Sequence, residues 1–124
     1  MRDISFASTS EHNLLPYFGK CHVGYYPSSG VVLGLSKAAR LAKQFSKKVQ
    51  SQQCFTQDLL ACLIQQLRPF GAAVCVVAQH LGSEPAAKLH VTTAGSGAFQ
   101  STLSPGMQVG SVLGLCCACS ARHL

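Results

Sequence analysis

The sequence predicts an α+β fold in which two helices pack on one face of a small antiparallel sheet. Two observations carry this. Apolar residues alternate or run continuously in two segments near the start and two after residue 70, the signature of strands. Between them lie two stretches whose apolar residues recur at steps of three and four, the signature of helices. The order is therefore strand, strand, helix, helix, strand, strand, or ββααββ. Its 124 residues are enough for one domain with an ordinary core.

Ile4, Phe6 and Ser8 alternate with Ser5, Ala7 and Thr9 in a first strand. A Ser8–Pro16 loop follows, and Cys21–Tyr26 alternates again before the turn residues Pro27-Ser28-Ser29-Gly30. These two strands are expected to pair as a hairpin. Ser36 is a candidate N-cap for the first helix, whose apolar face holds Ala38, Leu41, Ala42, Phe45 and Val49. The second helix is expected to start near Thr56, with Asp58 in its positive first turn and a stripe of Leu59, Leu60, Leu63, Ile64 and Leu67. Arg68 and Pro69 suit its end. Ala72–Ala78 reads as a buried strand, and Lys88–Thr93, extended past Gly95 and Gly97 to Phe99, as the last. The pattern then fades. The expected division is a domain over 1–100 and an irregular Ser/Gly/Cys-rich tail over 101–124. Such a sheet keeps open edges, which another chain has reason to cover, so an oligomer is expected.

Charged residues are only 11% of the chain, which again fits surface covered by another subunit, while 10 Lys and Arg against 4 acids give a net charge of +6. That excess fits an anionic ligand, nucleic acid or plain solvation, and alone decides little. Arg2 and Asp3 stand where a signal peptide would need an apolar run, and no run is apolar enough to cross a membrane. The seven cysteines are therefore expected to be reduced and the protein cytoplasmic. Their spacing forms no zinc-finger pairing, and Cys116, Cys117 and Cys119 lack a fourth ligand nearby.

Chemistry concentrates in Thr9–Pro16, where Glu11, His12 and Asn13 place an acid, an imidazole and an amide in succession. Lys37 and Arg40 read on composition alone as a solvated helix face. His80, ending an apolar strand, reads equally as a satisfied core histidine or as a ligand-facing one.

Several segments in order then resemble the GTP cyclohydrolase I family. They are Ser8-Thr-Ser-Glu-His-Asn-Leu-Leu-Pro-Tyr-Phe-Gly-Lys, His22-Val-Gly-Tyr-Tyr-Pro, Val32-Leu-Gly-Leu-Ser-Lys-Ala-Ala-Arg-Leu-Ala, Val49-Gln-Ser-Gln-Gln-Cys-Phe-Thr, Leu67-Arg-Pro-Phe-Gly-Ala-Ala-Val and Ala78-Gln-His-Leu. The likeness runs from Met1 to about Phe99, without the family's N-terminal helices. The chain is most similar to the degenerate C-terminal half of plant-type two-domain enzymes.

The resemblance implies the tunnelling fold and a reaction of GTP with water giving 7,8-dihydroneopterin triphosphate and formate. The intact family uses zinc held by Cys, His and Cys. Ser10, Asn13 and Gly82 occupy those positions here, and neither hydroxyl, amide nor glycine replaces thiolate and imidazole. No metal site and no cofactor are therefore expected in this chain. His12 and His80 match the family's catalytic positions. Ser36, Lys37, Arg40, Gln52 and Gln53 match its substrate-binding positions, Gln53 replacing a Glu that anchors guanine. The expected partners are GTP or a pterin, and a homologous cyclohydrolase domain or subunit in a homo- or hetero-oligomer, not nucleic acid or a membrane. The alternative is a noncatalytic pterin- or nucleotide-binding or assembly subunit.

Overall fold

The computed structural model describes residues 1–82 and 89–97. Four strands and two helices follow one another as β1 (Ile4–Thr9), β2 (Pro16–Tyr26), α1 (Leu35–Phe45), α2 (Gln52–Leu67), β3 (Gly71–His80) and β4 (Leu89–Gly97). The sheet is antiparallel throughout, in the order β1-β2-β3-β4. The expected architecture is the observed one. The former tail, the cysteines at 116, 117 and 119, and most of the loop from Gly82 lie outside the described residues.

The pleat sorts the side chains. Phe6, Tyr17, Cys21, Val23, Val74, Val76 and Ala78 share one face and are buried. Phe55, Leu59, Leu60, Leu63 and Leu67 of α2 close over them. Phe6 stacks on Phe55 at 4.7 Å between ring centroids and meets Tyr17 edge-on at 6.1 Å. Each large apolar side chain fully removed from water here stabilises the fold by about 1.5–3 kcal/mol. Gly19 is required in this layer, since a Cβ there would lie 2.0 Å from the Val77 carbonyl oxygen.

Several boundaries move. β2 begins at Pro16, five positions before the expected Cys21, because Tyr17–Lys20 pair with both β1 and β3. The cap of α1 is Gly34, so Ser36 lies within the first turn, and the helix ends at Phe45. Val49 instead bridges Thr9 alongside β1. Ser51, not Thr56, caps α2: its side chain accepts from Cys54 N. Asp58 therefore sits beyond the first turn, and its carboxylate accepts from Lys48 Nζ at 2.6 Å. Gln50 N donates to Thr9 O at 3.0 Å, which covers one end of the β1 edge. Among the described residues the outer side of β4 pairs with no strand.

Candidate functional site

Two groups of the expected site residues meet near the His80 end of β3. The first is the turn after β1. Ser10 N donates to Leu15 O at 3.0 Å, and Leu14 N to Ser10 O at 3.0 Å. Leu14 takes a positive φ of 56° to close the turn. The side chains are absorbed into the same closure. Ser10 Oγ, buried, accepts from His12 N at 3.3 Å, and Asn13 Oδ1 accepts from Leu15 N at 3.1 Å. Gly82 lies against this turn with φ +85°, where a Cβ would meet Leu15 Cδ1 at 2.5 Å and Asn13 Nδ2 at 3.4 Å. The structure thus brings Ser10, Asn13 and Gly82 to one place. Both side-chain oxygens already accept from backbone N–H groups, and Leu15 fills the space a side chain at 82 would enter. Among the described residues no three His, Cys, Asp or Glu side chains gather as a ligand set. His12 points outward, 77% exposed, with its Nε2 4.0 Å from Glu11 Oε1.

The second group is centred on buried Gln52, with His80 and Thr92 half-buried and His90 exposed. Gln52 opens α2 only one residue inside its cap and points into the sheet, 5% exposed. Its Nε2 lies 3.1 Å from Val76 O, 2.9 Å from His90 O and 3.1 Å from Thr92 Oγ1. Its Oε1 lies 2.8 Å from His80 Nε2. One turn later, Thr56 Oγ1 donates to Gln52 O at 2.8 Å and lies 2.8 Å from Thr92 Oγ1. The His80 ring stacks on Tyr17 at 4.6 Å and 12°, and His90 approaches it edge-on at 5.1 Å. Burial is the main reason the His80 pKa lies below the usual imidazole value, with His90 and then His12 adding repulsion to the charged form.

The remaining expected residues stand elsewhere. Gln53 is exposed at the start of α2, facing away from its buried neighbour Gln52. Ser36, Lys37 and Arg40 are exposed on the first half of α1. Lys37 and Arg40 rim a groove of about 430 Å³ floored by Val31, Leu33, Leu41 and Leu67. Gln66 and Leu67, at the far end of α2, also line it. Fourteen residues of helix rise separate Gln52 from Gln66, about 21 Å. Among the described residues, His80 does not line the groove that holds the two cations.

Sequence reasoning did not find Tyr17, Thr56, His90 or Thr92 as members of this cluster. The i, i+4 spacing of Gln52 and Thr56 and the alternation of His90, Thr92 and Ala94 were the available signals.

Comparison with known proteins places this geometry in context. The family model for GTP cyclohydrolase I matches residues 1–109. GTP cyclohydrolase 1 of Streptococcus pyogenes serotype M3 is 36% identical over 118 residues, covering 91% of this chain and 61% of that protein. The protein of the same name from Allorhizobium ampelinum is 41% identical over 105 residues, covering 81% of this chain and 52% of the relative. The chain thus spans about half to three fifths of the curated relatives it matches. Among solved structures, the archaeosine synthase QueF-Like in its apo form aligns with a TM-score of 0.63 at 18% identity, over 75% of this chain and 87% of that one. That likeness concerns the fold.

Proposed function

The chain belongs to the GTP cyclohydrolase I family, and from that membership we infer that it serves the conversion of GTP and water to 7,8-dihydroneopterin triphosphate and formate only together with a homologous domain or subunit that supplies the metal ligands. The observation that carries this reading is the contrast inside one site. The Ser10, Asn13 and Gly82 positions are closed on themselves, whereas half-buried His80 remains bonded to buried Gln52.

The residues of this chain would act as follows. Ser36, Lys37 and Arg40, on the first turns of α1, offer a hydroxyl and two cations to phosphate oxygens, and the helix N-terminus adds its positive end. Gln53, exposed beside the cap of α2, offers one acceptor and one donor to a purine or pterin edge where a carboxylate would accept twice. Losing one charged acceptor costs about 1.5–3 kcal/mol, roughly one to two decades of affinity. His80, held neutral, keeps a proton at a fixed ring nitrogen next to the reacting site. Because His80 and the Lys37/Arg40 groove stand at opposite ends of α2, a ligand that needs both takes them from two copies or two homologous domains.

The test is formate release from GTP, with metal content measured on the same samples. The chain alone is expected to release none and to hold no stoichiometric zinc. Mixed with an intact homologous domain it is expected to raise turnover above that domain alone, and His80→Ala in this chain should remove the gain. Tight binding of a pterin or of the intact domain with no effect on turnover would instead establish the noncatalytic subunit. Turnover by the isolated chain would overturn both readings.

A further inference from the structure

We propose that Gln52 is a positioning residue that fixes His80 as the neutral tautomer carrying its proton on Nε2, rather than a residue whose side chain reads the substrate. The geometry leaves one consistent arrangement of hydrogens. Thr56 Oγ1 has a single hydrogen, and it goes to the Gln52 carbonyl at 2.8 Å. The 2.8 Å contact between the two hydroxyls is then donated by Thr92. With its hydrogen committed, Thr92 Oγ1 only accepts, as Val76 O and His90 O do. Three acceptors thus face one end of the Gln52 amide, which must be the NH2 end. The other end is the carbonyl, and it only accepts. His80 Nε2, 2.8 Å away, must donate. In the neutral ring the lone pair is then on Nδ1.

This chain of bonds begins and ends on Gln52, from its own backbone carbonyl through Thr56 and Thr92 back to its side-chain amide. Rotating the amide to suit the opposite tautomer would turn its carbonyl toward three acceptors, so the network resists that tautomer. Tyr17 stacked on one face of His80 and the edge of His90 hold the ring plane. Every polar atom of the Gln52 side chain is engaged within the chain, and the side chain is 5% exposed, so a substrate has nothing there to bind. The role matters for the reaction only if the functional reading above holds, but the tautomer itself does not depend on that reading.

Long-range proton–nitrogen NMR correlation of the 15N-histidine-labelled 124-residue chain, at mildly alkaline pH and without GTP or partner, reads the tautomer directly. The His80 signals are assigned by their loss in His80→Gln. The wild type is expected to show one tautomer, protonated at Nε2. Thr92→Ser, which keeps the hydroxyl, should retain it. Gln52→Met, which fills the space without an acceptor, should lose that single state to a mixture. Should Gln52→Met fail to fold by circular dichroism, Thr92→Val, which removes one of the three acceptors, is expected to weaken the preference in the same direction. A wild type protonated at Nδ1, or an unchanged Nε2–H state in a folded Gln52→Met chain, overturns the proposal. A failed formate assay would leave these spectra untouched, so the two ideas fail separately.

Discussion

The turn at Ser10–Leu15 and the network around Gln52 lie at the same end of the sheet, and both are built from polar side chains with their hydrogen bonds made. They differ in where those bonds go. In the turn, Ser10 and Asn13 accept from backbone N–H groups two residues away, so the side chains stabilise only their own loop. In the network, Gln52 joins residues 24 to 40 positions distant. A local bond closes its own loop and orients no distant group. A long-range bond fixes the orientation of another functional group.

Perturbing each side separately sharpens this contrast. The largest effect is expected in the network. Thr56→Val keeps the shape but removes two hydrogen bonds at a site 1% exposed, and should cost about 1–3 kcal/mol of unfolding free energy in urea titrations. A cost below the precision of the titration would show that the network contributes no stability. Next comes Gly82→Ala, whose backbone at φ +85° disfavours any side chain and whose Cβ meets Leu15, for a loss of about 1 kcal/mol. Leu15→Ala in the same chain should recover only part of it, because the backbone term persists. Full recovery would mean that the contact alone matters. Asn13→Ala removes one exposed bond within the turn and should cost about 0.5 kcal/mol.

A smaller, pH-dependent effect comes from His22, 7% exposed, whose Nδ1 accepts from Asp3 N at 3.2 Å. Burial is the main cause that lowers its pKa, against the opposing pull of Asp3. A histidine kept neutral by the fold protonates more readily in the unfolded chain. Its contribution is therefore complete above the usual imidazole value of 6.5 and is lost as pH falls through the lower folded value. The stability gap between wild type and His22→Gln should narrow on acidification, read as urea midpoints across that range. A gap independent of pH would count against this assignment.

Element type and order were legible because the apolar periods of Ile4–Thr9, Leu59–Leu67 and Ala72–Ala78 are long and unbroken. Boundaries were less so, each for a local reason. Thr56 has a good capping side chain, but that hydroxyl bonds back to Gln52 inside the helix, and Ser51 stands earlier with a free path to Cys54 N. Pro16–Lys20 carries a Pro and a Gly, which weaken a strand reading, yet pairing on both sides overrides them. Ser10, Asn13 and Gly82 could be set beside one another only by resemblance, since 69 positions separate Asn13 from Gly82 and only the β2–β3 register joins them. Gln52 and Gln53 look alike in sequence; one residue of helix rotation sends one inside and the other out.

The central seam of the sheet joins β2 to β3, and the whole helical segment 27–70 intervenes between Tyr26 and its partner Gly71. The β1–β2 and β3–β4 pairs need far shorter excursions. Closing the long excursion carries the greater entropic cost, and it must be met before the seam's own contacts repay it. The two outer hairpins, each marginal by itself in water, thus become lasting only when α2 packs on β3 and β4 and stacks its Phe55 on Phe6 of β1. The rate of refolding should accordingly follow the ease of that closure: lengthening the 27–34 connection with glycine and serine should slow refolding in stopped-flow experiments while changing the unfolding rate little.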